Sequence, residues 1–352
     1  MPLKPAVKLL QCKPNFHPTF GLWLMVLGVT VSGMAYTNPV TEKVIAKKMG
    51  SRFEITAVHA TADQAHAAID AAYAEIDRLE AMISSWQPNS FTSAVNRNAG
   101  VAPTAVPAEL FNLIRRAIKV SELTEGAFDI TYDSFGKLWD FKAEAPKLPS
   151  DAEIQAALTL VGYQKIQLDV QTNSVFLPQK GMRMGFGAIG KGFAANKAAF
   201  ILKQQGVTGG VINAGGDMVV FGRQANGALW DVGVAHPRHP DRVYAQLLIS
   251  EQAIVTSGDY ESFFVHEGKR YAHILNPKTG YPVDFLQSVT VICPNGELAD
   301  ALATSVFVLG REKGLALLTQ LDKVEGLIID ADGQRWTTPN LNVFLQDTQK
   351  DD

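Results

Sequence analysis

The stretch Met184-Gly185-Phe186-Gly187-Ala188-Ile189-Gly190-Lys191-Gly192-Phe193 carries four glycines and a lysine, and residues 194–205 behind it have helical character. Glycines let a backbone come close to a ligand, and a helix N-terminus directs free N–H groups and partial positive charge outward. Lys191 adds a full charge beside them, so a phosphate or pyrophosphate is the natural guest. Close packing is the competing use of the same glycines. The stretch is not a Walker A loop, because no Lys-Ser/Thr follows a four-residue spacer, and it is a poor dinucleotide fingerprint. Asp300 and Thr304 stand one turn apart on a helical segment, residues 297–309. Trp86 lies in the polar run Ser84-Ser85-Trp86-Gln87-Pro88-Asn89-Ser90, where an indole either stacks on a flat ligand or packs under the loop. Asp129, Thr131 and Asp133 are interleaved with aromatic residues as far as Trp139, a pattern that reads as a site lining.

With 352 residues, 47% of them hydrophobic, the chain has enough apolar surface for one large domain or two lobes. A formal net charge of -3 gives no footprint for nucleic acid. Two cysteines, Cys12 and Cys293, make no disulfide framework, and nothing resembles a zinc site. The chemistry therefore falls to carboxylates, Lys191, a histidine or two and a bound cofactor.

Positioning elements follow from periodicity. Residues 44–60 read as two strands around Met49-Gly50-Ser51. Residues 61–84 and 107–124 read as amphipathic helices, and residues 149–161 as a third, capped by Ser150 or Asp151. Hairpins are expected over residues 165–178 and across Glu267-Gly268, and a strand, glycine bend and strand over 209–222. Further strands fall at 230–234, 245–248, 253–256 and 288–292. Strands are linked by hairpins as often as by helices, which predicts α+β rather than a doubly wound parallel sheet. Lys4, Lys8 and Lys13, the apolar residues 20–31 and Gly33-Met34-Ala35 lay out a secretory signal, with a retained anchor as the alternative. Expected boundaries are residues 1–35 for that segment, 36–345 for the folded domain and 346–352 for a polar tail.

Taken in order, these segments resemble the ApbE family of FAD:protein FMN transferases. The resemblance rests on Met49-Gly50-Ser51, Trp86 before Pro88-Asn89-Ser90, Gly126-Ala127-Phe128-Asp129, Gly187-Ala188-Ile189-Gly190-Lys191-Gly192, Asn213-Ala214-Gly215-Gly216-Asp217, Ser257-Gly258-Asp259-Tyr260, His273-Ile274-Leu275-Asn276-Pro277-Lys278-Thr279-Gly280 and Ala299-Asp300-Ala301-Leu302-Ala303-Thr304. It implies a two-lobed α+β fold of mixed sheets with flanking helices. It implies a magnesium ion on Asp300, Thr304 and the backbone oxygen of Ala188. It places Lys191 near the FAD pyrophosphate, and Met49, Trp86, Ala127, Phe128, Asp129, Ser257 and Leu275 at positions that contact FAD. Three departures stand out: Gly185 where many relatives are acidic, Gly190 where alanine is commoner, and Ser262 where a basic residue is frequent.

The reaction so implied is magnesium-dependent transfer of FMN from FAD to a threonine or serine hydroxyl of a target protein, with release of AMP. The acceptor expected is a membrane-associated redox protein. The alternatives are hydrolysis of FAD to FMN and AMP, or a secreted FAD-binding protein without transfer. His273 is the candidate base for the acceptor hydroxyl, since an imidazole titrates near neutrality, and Asp259 is the reserve. The signal segment implies an exported protein, periplasmic or attached to the outer side of the inner membrane.

Overall fold

Two nine-residue strands open the fold, β1 (Val40–Lys48) and β2 (Ser51–His59), paired antiparallel through the two-residue turn Met49-Gly50. Both turn residues are left-handed, with φ of 50° and 73°, the geometry that suits the twist of a tight hairpin. Glycine takes it freely, whereas Met49 holds it against its own Cβ. The computed structural model describes residues 38–341, except 137, 142, 144, 145 and 240, together with the backbone of 345–346. The expected signal segment lies outside the described residues.

Thr61 caps α1 (Ala62–Ile83) by accepting the Gln64 N–H, and the helix buries Ile69, Ile76, Leu79 and Met82 along one stripe. Next come α2 (Phe91–Arg97), β3 (Thr104–Ala105), α3 (Ala108–Leu123) and a short 3-10 helix, Ile130–Phe135. Ser150 and Glu153 form a capping box on α4 (Asp151–Leu158). The hairpin of β4 (Gln167–Asp169) and β5 (Ser174–Phe176) precedes α5 (Gly190–Gln204). Seven strands follow: β6 (Gly209–Ala214), β7 (Asp217–Gly222), β8 (Trp230–Ala235), β9 (Val243–Ile249), β10 (Gln252–Gly258), β11 (Phe263–His266) and β12 (Lys269–Ala272). The chain closes with β13 (Leu286–Cys293), α6 (Gly296–Leu309), α7 (Arg311–Gln320), β14 (Glu325–Asp330), β15 (Arg335–Thr337) and β16 (Leu345–Gln346).

Eight strands form the central sheet in the order β1-β2-β6-β7-β10-β13-β14-β15. Every pairing among the described residues is antiparallel, and the class is α+β. One face of the sheet, through Phe53, Ile55, Val289 and Val291, packs on Ile69 and Ile76 of α1, Phe193 of α5, and Leu302 and Val306 of α6. The other face, through Val58, Val220, Ile254 and Ile292, is covered by Trp230, Val232, Leu247 and Ile249 of β8 and β9. With both faces covered, β13 is buried at all eight positions and loses the usual alternation. Thr338 and Leu341 are buried, and Gln346, assigned to the tail, pairs with β9, because the β8–β9 layer offers an open edge there.

The helices α5 and α6 meet where neither has a side chain. A Cβ on Gly192 would stand 2.1 Å from the Gly296 carbonyl oxygen and 2.8 Å from Asp300 Cβ. Gly192→Ala must therefore push the helices apart. We expect it to cost about 1–3 kcal/mol, the usual range for overpacking, and to lower the thermal midpoint. An unchanged midpoint would show that the two helices do not need this close approach.

Candidate active site

Three element ends converge on one cavity: the first turn of α5, the end of β10 and the first turns of α6. They bring Lys191, Ser257, Asp300 and Thr304 to its wall. The loop after α3 adds Ala127, Phe128 and Asp129, the glycine-rich loop adds Ala188, and the segment leaving β12 adds His273 and Leu275. Residues separated by up to 177 positions in sequence, from Ala127 to Thr304, are thus one surface. Thr304 Oγ1 lies 3.3 Å from Ser257 Oγ, and Asp300 Oδ2 accepts the Gly192 N–H at 2.9 Å.

Asp217, at the start of β7, was not singled out by the sequence reading, although it closes one of the motifs. It is 2% exposed, and its Oδ2 lies 2.6 Å from Lys191 Nζ. No aligned hydrogen bond reaches that oxygen, so the contact is an ion pair. Burial pushes the Asp217 carboxyl up, and Lys191 pulls against it. Burial and the neighbouring Asp217 charge push Asp300 up to about 7. Burial works against the Lys191 charge too, but Asp217, Asp300 and Glu261 outweigh it and hold the ammonium above its ordinary range. Glu261, also missed, lines the cavity from an open position at its rim. The protein around its carboxyl, with Asp217, lifts it to about 7 against the pull of Lys191. Tyr132, the third residue missed, crowds the glycine loop: a Cβ on Gly187 would lie 2.5 Å from its hydroxyl.

Among the described residues no three His, Cys, Asp or Glu side chains converge as a metal cage. A cation held here would use the Asp300 carboxylate, the Thr304 hydroxyl and the Ala188 carbonyl. All are hard oxygens, which suits magnesium, an ion that keeps waters and phosphate oxygens in its other positions. The buried Asp300 carboxyl, raised by a like charge, has the electrostatics that a cation would relieve. The residues therefore fit the ion.

His273 is held by one carbonyl. Its backbone N–H donates to Ser262 O at 2.9 Å, and its Nδ1 lies 3.2 Å from the same oxygen. A carbonyl only accepts, so Nδ1 carries the proton and Nε2 keeps its lone pair. Burial pushes the imidazole down from its ordinary value, with Lys191 adding to the effect. The ring is therefore a neutral acceptor at pH 7.

Met49 and Trp86 line a second cavity that shares Gly187, Lys191 and His273 with the first. Met49 donates its N–H to Glu80 Oε2 at 2.7 Å, and Trp86 is 63% exposed, an indole free to stack. The two cavities hold about 150 and about 510 Å³. Ligand sites usually run to about 300–1,000 Å³, a range that the second cavity reaches and the first does not.

Two expectations are corrected. Asp259 does not line the cavity. Its carboxylate is gripped by Arg238 at 2.6 and 2.8 Å and approached by Arg270 at 3.5 Å, which leaves it tied up as an ion pair rather than poised as a base. The aromatic run lines the cavity only at its start, through Phe128, Asp129 and Tyr132, and not as far as Trp139. Trp139 stacks on Phe264 and Tyr271, and its Nε1–H donates to Gly280 O at 2.8 Å, so it supports the β11–β12 hairpin. The Asp129 carboxylate fastens its own loop, accepting the N–H and hydroxyl of Thr131 and the Tyr163 N–H. At Gly185, a Cβ would press on Asp133 at 3.1 Å, so the glycine goes with a carboxylate already in that space.

Residues 49–328 match the ApbE family. The chain is 35% identical over 275 residues to an FAD:protein FMN transferase of Klebsiella pneumoniae, covering 78% of this chain and 83% of that protein. It is 33% identical to the FAD:protein FMN transferase of Treponema pallidum, covering 72% and 74%. Among solved structures, the ApbE protein of Thermotoga maritima superposes with a TM-score of 0.81 at 28% identity, covering 88% of this chain and all of that one. The flavin transferase ApbE of Vibrio cholerae gives 0.77 at 25%, covering 87% and 100%. The chain belongs to the ApbE family.

A carboxyl raised by folding binds more protons in the native than in the unfolded state. Its contribution to stability is present at low pH and is lost as pH rises through the raised value. For Asp300 the window runs from about 4, the ordinary carboxyl range, to about 7. In chelator, Asp300→Asn should therefore gain thermal stability relative to the parent at pH 8 and gain little at pH 4. The same difference at both pH values would show that Asp300 is not under this strain.

Proposed function

As a member of the ApbE family the chain is a flavin transferase, and we propose that it moves FMN from FAD onto a threonine or serine hydroxyl of a target protein, with magnesium bound and AMP released. The observation that carries this reading is His273. It is a neutral imidazole with a free Nε2 on the cavity that also holds Lys191, Asp300 and Thr304. In the proposed step the acceptor oxygen attacks the phosphorus on the riboflavin side of the pyrophosphate. The bond to the AMP phosphate breaks, AMP leaves, and the hydroxyl proton passes to His273 Nε2. Lys191, kept charged and kept in place by Asp217, faces the charge that develops on the leaving phosphate. Asp300, Thr304 and the Ala188 carbonyl would hold magnesium, which when bound supplies further positive charge to the pyrophosphate oxygens. Trp86 and Met49 offer the flat and apolar contacts of a ring system.

The lysines and apolar run before residue 36 support export, to the periplasm or the outer side of the inner membrane, where a membrane-associated redox protein would be the acceptor. N-terminal sequencing of the protein from the envelope fraction should give a chain starting near Tyr36. Full-length chain in the cytosol would overturn that part of the proposal.

His273→Asn keeps size and hydrogen bonding but cannot take the proton. It should bind FAD normally and transfer FMN on the order of 10²–10⁴-fold more slowly at saturation. Because burial lowers the His273 value, the parent's transfer rate should be flat through pH 7 and fall only below the usual imidazole range near 6.5. Single-turnover flavinylation across pH measures both. A variant within a few-fold of the parent, or an acid limb above pH 7, would remove His273 from the role. Asp300→Ala should lose transfer far more than FAD binding, and normal transfer with magnesium present would refute the assignment.

A further inference from the structure

The transfer proposed above needs a second substrate, a polypeptide that brings its hydroxyl to the cavity rim, and this inference rests on that reading. The β11–β12 hairpin is rooted at the rim by both strands. Glu261, in the cavity wall, stands two residues before β11, and His273 follows directly after β12. Ser262, between Glu261 and β11, is the residue whose carbonyl holds His273. Four residues of strand at about 3.3 Å each carry the hairpin roughly 13 Å from that root.

The hairpin is a sheet of two strands, with no third strand beside it among the described residues. One face is secured by Phe264 and Tyr271 stacked with Trp139. The register pairs Phe263 with Ala272 and Val265 with Arg270 on the opposite face. There Phe263 is 37% and Val265 56% exposed. The Arg270 guanidinium lies over the Phe263 ring at 4.1 Å. Arg270 also reaches Asp259 at 3.5 Å, and Arg238 closes on the same carboxylate at 2.6 Å. Two guanidinium groups against one carboxylate leave a positive charge beside two exposed apolar side chains. Extended peptides commonly dock on exposed β structure with pockets or patches for their side chains, and this face offers an apolar and a charged patch together.

We propose that the acceptor docks on the outer face of the β11–β12 hairpin as an extended, acidic segment, and that this surface selects the flavinylation site. An apolar residue of the segment lies on Phe263 and Val265, and a carboxylate meets Arg270 and Arg238. The chain direction along the hairpin then delivers the hydroxyl residue to His273. The surface acts on the acceptor alone, since neither Val265 nor Arg270 lines either cavity.

The test uses three synthetic dodecapeptides with a central threonine, differing only in flanking aspartates, serines or lysines. FMN–peptide formation and AMP release are followed with the full chain, FAD and magnesium. The aspartate peptide should have the lowest KM. Val265→Ser and Arg270→Glu should each raise that KM about tenfold or more, the scale of an interface hot spot, with FAD affinity and melting temperature unchanged. Arg270→Glu should shift the preference towards the lysine peptide, a reversal that simple loss of folding would not produce. Leu248→Ser, an exposed residue on β9, should change nothing. Equal KM values for the three peptides, or a KM unmoved by both hairpin variants, would overturn the docking surface while leaving the transferase reading intact. Release of AMP without any flavinylated peptide would sink the transfer reading, and this proposal with it.

Discussion

The contact between Gly192 and Gly296 is the constraint from which the site follows. It sets the N-termini of α5 and α6 side by side, although each end carries roughly half a positive charge and the two repel. Asp300, one turn into α6, answers this by accepting the Gly192 N–H of α5. Two asparagines finish the lock: Asn196 accepts the Gly296 N–H, and its amide donates to Asn295, the cap residue of α6. Any side chain at Gly192 would separate Lys191 from Asp300, so helix packing and site geometry are one requirement. Of the two uses that the sequence left as rivals, Gly192 serves packing, while Gly185 and Gly187 line the cavity.

Much of this was legible beforehand, for identifiable reasons. Helices α1 and α3 showed because their apolar residues repeat with helical period and face one core. The β1–β2 and β11–β12 hairpins showed because glycine turns interrupt alternating runs. Lys191 stood out because glycines and a helix start surround it, and Asp300 and Thr304 because four-residue spacing puts them on one helix face. Asp217 did not, because a single aspartate after two glycines looks like turn chemistry until the lysine it meets, 26 positions earlier, is seen beside it. Asp259 misled for the opposite reason. Its motif is polar and close to the site, but Arg238, on the β8–β9 loop, is invisible from local sequence. Trp139 misled because aromatic residues among aspartates serve a hairpin support as well as a ligand wall.

The second cavity could not have been drawn from residue types. Met49 and Trp86 belong to a turn and to the bend after α1, and only the register of β1 and β2 and the length of α1 bring them over the glycine loop. The strained left-handed Met49 fits the pattern in which unfavourable backbone is kept at sites. Glu80 takes its N–H, which over-determines the turn and holds the thioether beside Gly190.

The carboxylates around Lys191 change what its ammonium can bind. A lysine beside a helix N-terminus looks like an anion site on its own. In the folded chain its ammonium already meets Asp217, with Asp300 and Glu261 close enough to affect it. One ammonium against three carboxylates is a deficit of two positive charges when all are ionised. A pyrophosphate entering that field would be repelled, not welcomed. The balance is restored if Asp300 and Glu261 hold protons, which their values near 7 permit, or if a divalent cation stands on Asp300 and turns the deficit into a bridge. The charges around Lys191 thus favour the proposed pairing of an anion with a cation over an anion alone. That pairing is why the proposed function ties magnesium to the nucleotide.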